Sequence, residues 1–178
     1  MSCFNRLPFR VRQLVENVPM TNAPRNVNIQ WQWARLEALS ARQIYALFAA
    51  RQAVFIVEQA CAYQDMDERD ADAEHLLAWS GDTLAGCLRL LAPGQRYAES
   101  SLGRILTTPA HRGIGLGREL VMRGLQRAQQ RYPEHGVRIA AQARLERFYA
   151  GYGFAASGAP YLEDGILHID MLKPAPRR

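Results

Sequence analysis

A predicted strand running through a proline into a glycine-spaced turn and then an amphipathic helix constrains this chain more than any other feature. Residues 102–107 read as the strand, and Pro109, which has no N–H to give a ladder, suits its end. Arg112-Gly113-Ile114-Gly115-Leu116-Gly117 follows, and Leu116, Leu120, Val121, Gly124 and Ala128 then recur at helical spacing, predicting a helix over 116–131. The start of a helix presents unpaired N–H groups and the positive end of the macrodipole, and glycines let an anion approach that backbone closely. Arg112 and Arg118 flank the turn, so a diphosphate seated there also meets guanidinium charge. The spacing Gly113-x-Gly115-x-Gly117 differs from the dinucleotide pattern Gly-x-Gly-x-x-Gly, and the Gly-Lys-Ser/Thr ending of a Walker loop is absent. A glycine-rich turn that merely starts a helix stands as the bland alternative.

Around this unit the periodicities alternate between strand and helix. Residues 29–33, Ile-Gln-Trp-Gln-Trp, alternate apolar and polar as a half-buried strand does. Ser40 with Gln43 forms a capping box, and Ile44, Leu47, Phe48, Arg51, Val54 and Phe55 trace the stripe of one helix. Residues 75–79 and 83–91 are apolar runs parted by Ser80-Gly81-Asp82, a hairpin signal. Residues 137–142 read as a strand, 144–151 as a short helix, and 166–172 as a last alternating strand. The order predicts an α+β (mixed α/β) fold: one domain with a mixed, mostly antiparallel sheet and helices on both faces.

Length and composition agree with one domain over residues 29–173, since 178 residues with 48% apolar content suffice for a core. Residues 1–28, with Pro8, Pro19 and Pro24, read as a flexible arm, and 174–178 as a short basic tail. The arm resembles a transit peptide in composition, and Met20 is an alternative start. It carries four arginines against one glutamate, +3 of the formal net charge of +5, so the body lacks the basic-aromatic stripe of a nucleic-acid binder. No stretch nears the roughly 18 apolar residues of a membrane span. Cys3, Cys61 and Cys87 form neither a disulfide framework nor a metal pair. These features lead us to expect a cytoplasmic protein with no nucleic-acid partner, no membrane association and no metal; a homodimer through exposed sheet edges is an arrangement such a sheet allows.

The acidic run Asp65, Asp67, Glu68, Asp70, Asp72, Glu74 fails the calcium-loop test, because positions five, six and twelve counted from Asp65 are Arg69, Asp70 and Leu76. It reads either as a solvated loop or as an anionic rim, led by Asp65, that attracts a cationic substrate.

Taken together, strand 103–107, Arg112-x-x-Gly115-x-Gly117, the helix and Phe148-Tyr149-Ala150-Gly151-Tyr152-Gly153-Phe154 resemble the core of the GNAT superfamily of acyl-CoA-dependent N-acetyltransferases. Arg51-x-x-Val54-Phe55-x-Val57-Glu58-Gln59, Tyr63-Gln64-Asp65-x-Asp67, His75-Leu76-x-Ala78-Trp79 and Tyr161-Leu162-Glu163-Asp164-Gly165-Ile166-x-His168-Ile169 are similar to its ElaA-like branch. The resemblance implies a GNAT-like fold in which acetyl-CoA, the co-substrate, lies between two splayed parallel strands. Its pantetheine pairs with the edge formed here by Ile105, Leu106 and Thr107, and its pyrophosphate rests on Arg112, Gly113, Ile114, Gly115, Leu116, Gly117 and Arg118. Gln142 corresponds to a side-chain amide that meets the pantetheine, and Tyr149 to the phenol that protonates the departing thiolate.

The acceptor, a small amine or a peptide, must shed a proton before it attacks, since an alkyl ammonium titrates near ~10.4. Glu58, at the end of the first helix, is the expected catalytic carboxylate; His75 and His168, on strands, are further base candidates and, with Asp65, expected acceptor contacts. Two rival readings remain: a CoA-binding module without catalysis, and a basic interaction protein acting through residues 1–28.

Overall fold

The computed structural model describes residues 28–176, so the predicted arm, Asn28 excepted, and the last two residues of the tail lie outside the described residues. β1 (Ile29–Ala34) leads to α1 (Ala41–Arg51), whose N-terminus carries the predicted capping box: the Gln43 N–H donates to Ser40 Oγ, and the Ser40 N–H donates to Gln43 Oε1. A short helix α2 (Arg69–Asp72) precedes β2 (Glu74–Ser80), β3 (Thr83–Leu91) and β4 (Ser100–Thr107). The glycine turn opens α3 (Leu116–Arg131); β5 (Val137–Gln142), α4 (Glu146–Ala150), β6 (Ala155–Ala156), β7 (Tyr161–Glu163) and β8 (Ile166–Lys173) complete the order.

The strands form one sheet in the order β1-β2-β3-β4-β5-β8-β6, with β7 also on β8, and every pairing is antiparallel except β4 with β5. Each face carries its own core. On one, Leu116, Leu120, Val121 and Ala128 of α3 pack with Leu76, Leu88, Leu102, Ile139 and Met171. Gly124 lets α3 lie close to the sheet, because a Cβ there would stand 2.7 Å from Leu88 Cδ1. On the other face Leu47 of α1 and Val54 pack with Leu77, Leu84, Cys87 and Leu106. The predicted mixed sheet with helices on both sides is the observed one, and the buried face of α3 is the predicted one, because both follow from side-chain period alone.

Three elements differ from expectation. The helix predicted to continue through Phe55 changes hydrogen bonding after Arg51: residues Gln52–Glu58 form a π-helix, with Gln59 N–H donating to Val54 O and Cys61 N–H to Ile56 O, five residues back. A stripe of apolar residues does not distinguish four-residue from five-residue closure, and such widened turns gather at functional sites. β6 and β7, of two and three residues, are too short to show a period. The Asp164-Gly165 turn that joins β7 to β8, with φ of +49° and +81°, is the local signal of β7 alone.

The acidic run is largely drawn inward: Asp65, Asp70 and Glu74 are buried on arginine partners, while Glu68 and Asp72 stay exposed. Arg51, fully buried, donates from Nε to Asp65 Oδ2 at 2.8 Å and from Nη1 to Asp70 Oδ1 at 2.7 Å. Arg89 Nη1 reaches Asp67 Oδ1 at 2.6 Å and Asp70 Oδ1 at 2.8 Å, and Arg104 Nε lies 2.7 Å from Asp65 Oδ1. Three aspartates thus meet three arginines in a compensated buried cluster, while Glu74 takes Arg127 and Arg131 from α3. Burying a carboxylate without such partners costs several kcal/mol, roughly, so the arginines decide where the run goes.

Candidate active site in the gap between two parallel strands

β4 and β5 pair only at Ser100 with Val137 and Ser101 with Arg138; beyond these the two parallel strands separate. The opening is a cavity of about 660 Å³ whose walls include residues 102–107 of β4 and 139–142 of β5. Expected contacts Ile105, Leu106, Thr107 and Gln142 therefore face one space. Opposite Leu88, β4 carries an extra residue, since Cys87 registers with Leu106 but Arg89 with Gly103. This bulge holds Arg104 at φ +51°. A bulge breaks the ladder and turns backbone groups out of it, a device common beside active sites.

At the mouth of the gap the glycine turn takes the predicted form. Gly113 and Gly115 have φ of +78° and +84°, a region a side chain enters only with strain, and a Cβ on Gly115 would meet nothing within 4 Å. The first N–H groups bonded back in α3 are those of Arg118 and Glu119, both to Gly115 O, so the N–H groups before Arg118 precede the helix ladder. Arg112 lines the cavity, whereas residues 113–118 form an open shelf beyond it, on which Leu116 turns its side chain into the core and leaves only backbone to the turn.

The end of the π-helix bridges both walls. Glu58 accepts two hydrogen bonds from Arg112 Nη1 and Nη2, at 2.9 and 2.8 Å, and these hold its carboxyl below the usual range. Gln142 Nε2 donates to Gln59 Oε1 at 3.0 Å, and Gln142 Oε1 accepts from Arg144 Nε at 2.9 Å. Gln59 and Arg144 are site residues that sequence reasoning missed; the ElaA-like motif contains Gln59, but its partner lies 83 residues away.

Tyr149 on α4 lines the gap and is otherwise enclosed, edge-on to Phe148 and Phe154 at ring separations of 5.0 and 6.0 Å. Burial pushes its phenol up to about 12, so it is protonated at neutral pH. His168 also lines the gap. Val137, Ile139 and Ala141 point toward α3, so Gln142 points to the opposite face, and His168, registered with Gln142, shares it.

The other two expected acceptor contacts do not reach the gap. His75 is 1% exposed, with Nε2 donating to Asp70 O at 3.0 Å, and burial lowers its pKa. Asp65 is committed to Arg51 and Arg104. Both are corrections with one cause: the arginine cluster draws this segment under the sheet, and what reaches the cavity from it is Tyr63, Asp67 and Arg69. Among the described residues no three His, Cys, Asp or Glu side chains gather as metal ligands, and no helix is long and apolar enough to cross a membrane.

A parallel pair that opens after two residues, bulged on one wall and met by a glycine-capped helix, is the architecture of a GNAT acyltransferase, and the chain belongs to that family: the Acetyltransferase (GNAT) domain matches residues 36–174. Within the family it is ElaA-like. ElaA of Escherichia coli is 38% identical over 147 residues, 82% of this chain and 96% of the relative. The crystal structure of that protein superimposes with a TM-score of 0.77 at 37% identity, covering 82% of this chain and 99% of that one. An acyl-CoA N-acyltransferase from Pseudomonas aeruginosa superimposes with a TM-score of 0.79 at 39% identity over the same shares. The family uses acyl-CoA co-substrates, and its activity is acyl transfer.

Proposed function

We propose that this protein transfers an acetyl group from acetyl-CoA to a primary amine, a small molecule or a peptide, by direct attack within the gap. The observation that carries the reading is the separation of β4 from β5 after Ser101, which leaves a strand edge free for an extended amide-bearing chain beside a helix N-terminus suited to a diphosphate. Pantetheine is such a chain, and the backbone of Ile105, Leu106 and Thr107 is its partner edge. Residues 113–117 supply N–H groups to the pyrophosphate on the open shelf, and Arg112 and Arg118 supply charge. A main-chain N–H of the bulged edge polarises the thioester carbonyl as negative charge builds on its oxygen.

Tyr149 serves the leaving group by donating a hydrogen bond to sulfur. Burial raises the phenol's pKa, which keeps the hydroxyl protonated and able to donate to the sulfur as negative charge builds there. Free, buried Cys61 and Cys87 support placing the activity in a reducing cytoplasm.

A thiol-release assay with acetyl-CoA over a panel of alkyl amines, amino acids and peptides tests the proposal. Amine-dependent release of CoA with formation of the N-acetyl product is the expected result. Tight acetyl-CoA binding without release for any amine would replace it with the CoA-binding-module reading.

A further inference from the structure

We propose that His168 is the general base that takes the proton from the acceptor ammonium, acting through Nε2. The inference rests on the acyl-transfer reading and names the group that reading leaves open. Of the three base candidates that the sequence offers, Glu58, His75 and His168, the first two are the less well placed. Both Glu58 oxygens accept from Arg112, which sets this carboxylate beside the glycine turn at the mouth of the gap, and the pair lowers its pKa. His75 is buried beneath the sheet with Nε2 donating to a carbonyl.

His168 is both accessible and oriented. Its Nδ1 stands 2.9 Å from the backbone oxygen of Ile166, which only accepts, so Nδ1 carries the hydrogen and the neutral ring keeps its lone pair on Nε2. A base of this kind needs its other nitrogen fixed, because a ring free to flip presents the wrong atom half the time. The ring is braced as well. Tyr161, its register partner on β7, stacks on it at 6.1 Å, and the Tyr161 hydroxyl donates to Asp170 Oδ1 at 3.0 Å. Glu163 Oε2, 3.9 Å from Nδ1, places a negative charge near the imidazolium that proton uptake forms. His168 and Tyr149 line the same cavity, so one space holds the base and the hydrogen-bond donor for the leaving group.

The balance of the step is complete without a further reactant. The ammonium gives one proton to Nε2; the freed lone pair forms the C–N bond; the C–S bond breaks with its electron pair on sulfur. The nitrogen sheds a second proton to solvent as it becomes an amide, the thiolate takes one up, and the imidazolium returns its proton to solvent.

The test compares His168→Asn with the wild-type protein in thiol release and in equilibrium binding of CoA. Asparagine places an amide N–H near the Nδ1 position, so it keeps the bond to Ile166 O and removes only the basic nitrogen. We expect kcat to fall about 10²- to 10⁴-fold with CoA affinity unchanged, and added imidazole to restore turnover to His168→Ala in proportion to its concentration. An Asn variant that turns over within about twofold of wild type would overturn the assignment while leaving the transferase standing, since a removed base costs far more. Wild-type protein inert toward every amine would remove the transferase reading and the base with it.

Discussion

The Glu58 carboxylate reaches across the mouth of the gap to accept from both terminal nitrogens of Arg112, at 2.9 and 2.8 Å. Arg112 is the cation at the entrance to the proposed pyrophosphate shelf, so carboxylate and diphosphate compete for one guanidinium. Both side chains are about two-fifths exposed, which limits the pair to roughly 0.2–1 kcal/mol.

Glu58→Gln therefore tightens CoA binding by about two- to fivefold, the release of a weak competitor. Arg112→Ala weakens it. Isothermal titration with CoA measures both, and unchanged affinity in the Gln variant would show that Arg112 does not meet the phosphates.

At Gly115 the backbone sits at φ +84° with open space where a side chain would stand. Gly115→Val is expected to strain the turn by about 1–3 kcal/mol and to put a branched group over the shelf, so CoA binding falls at least about tenfold while the fold survives. Wild-type affinity in a folded variant would refute the shelf.

Tyr149→Phe keeps the ring contacts with Phe148 and Phe154 and removes one hydroxyl. If that hydroxyl steadies the leaving sulfur, kcat falls about 10- to 100-fold and CoA affinity stays within about twofold, the pattern of an interaction made only in the transition state. A rise in KM at constant kcat would instead mark a binding role.

The buried cluster predicts a pH dependence of stability. Burial alone would raise Asp70, but hydrogen bonds and charge from Arg51, followed by Arg89, hold it down to about 2 against an ordinary 3.8. The unfolded chain thus binds a proton more readily than the folded one. The stabilisation is present above about pH 4 and is lost as pH falls toward 2, about 2 kcal/mol in all. Urea midpoints between pH 5 and 2 should trace this fall. Asp70→Asn should flatten it and cost about 3–5 kcal/mol at neutral pH, because Arg51 and Arg89 lose a buried partner. A slope equal to wild type in that variant would dissociate the acid transition from Asp70.

Reading from sequence succeeds here where the information is local. The capping box Ser40/Gln43, the buried stripe of α3 and the glycine turn before it each lie within a few residues, and residue type and helical period announce them. The π-helical turn escapes because apolar stripes for four- and five-residue closure look alike over seven residues. The bulge at Arg104 escapes because an arginine is no signal for φ +51°. His75 and His168 look equivalent as strand histidines; they differ because His75 is buried against the Asp70 backbone of the arginine cluster, whereas the side chain of His168, on the strand next to β5, lines the gap.

By itself the amino-acid sequence determined the order of the main elements, the inward face of the main helix and a glycine turn between a strand and a helix, since side-chain period and backbone freedom are properties of neighbouring residues. Tertiary structure alone decided that Glu58 meets Arg112 across 54 positions, that Arg51 meets Asp70 across 19, and that β4 parts from β5 after Ser101. Charges settle on whichever partners the assembled sheet brings within about 3 Å, and no local pattern specifies that distance.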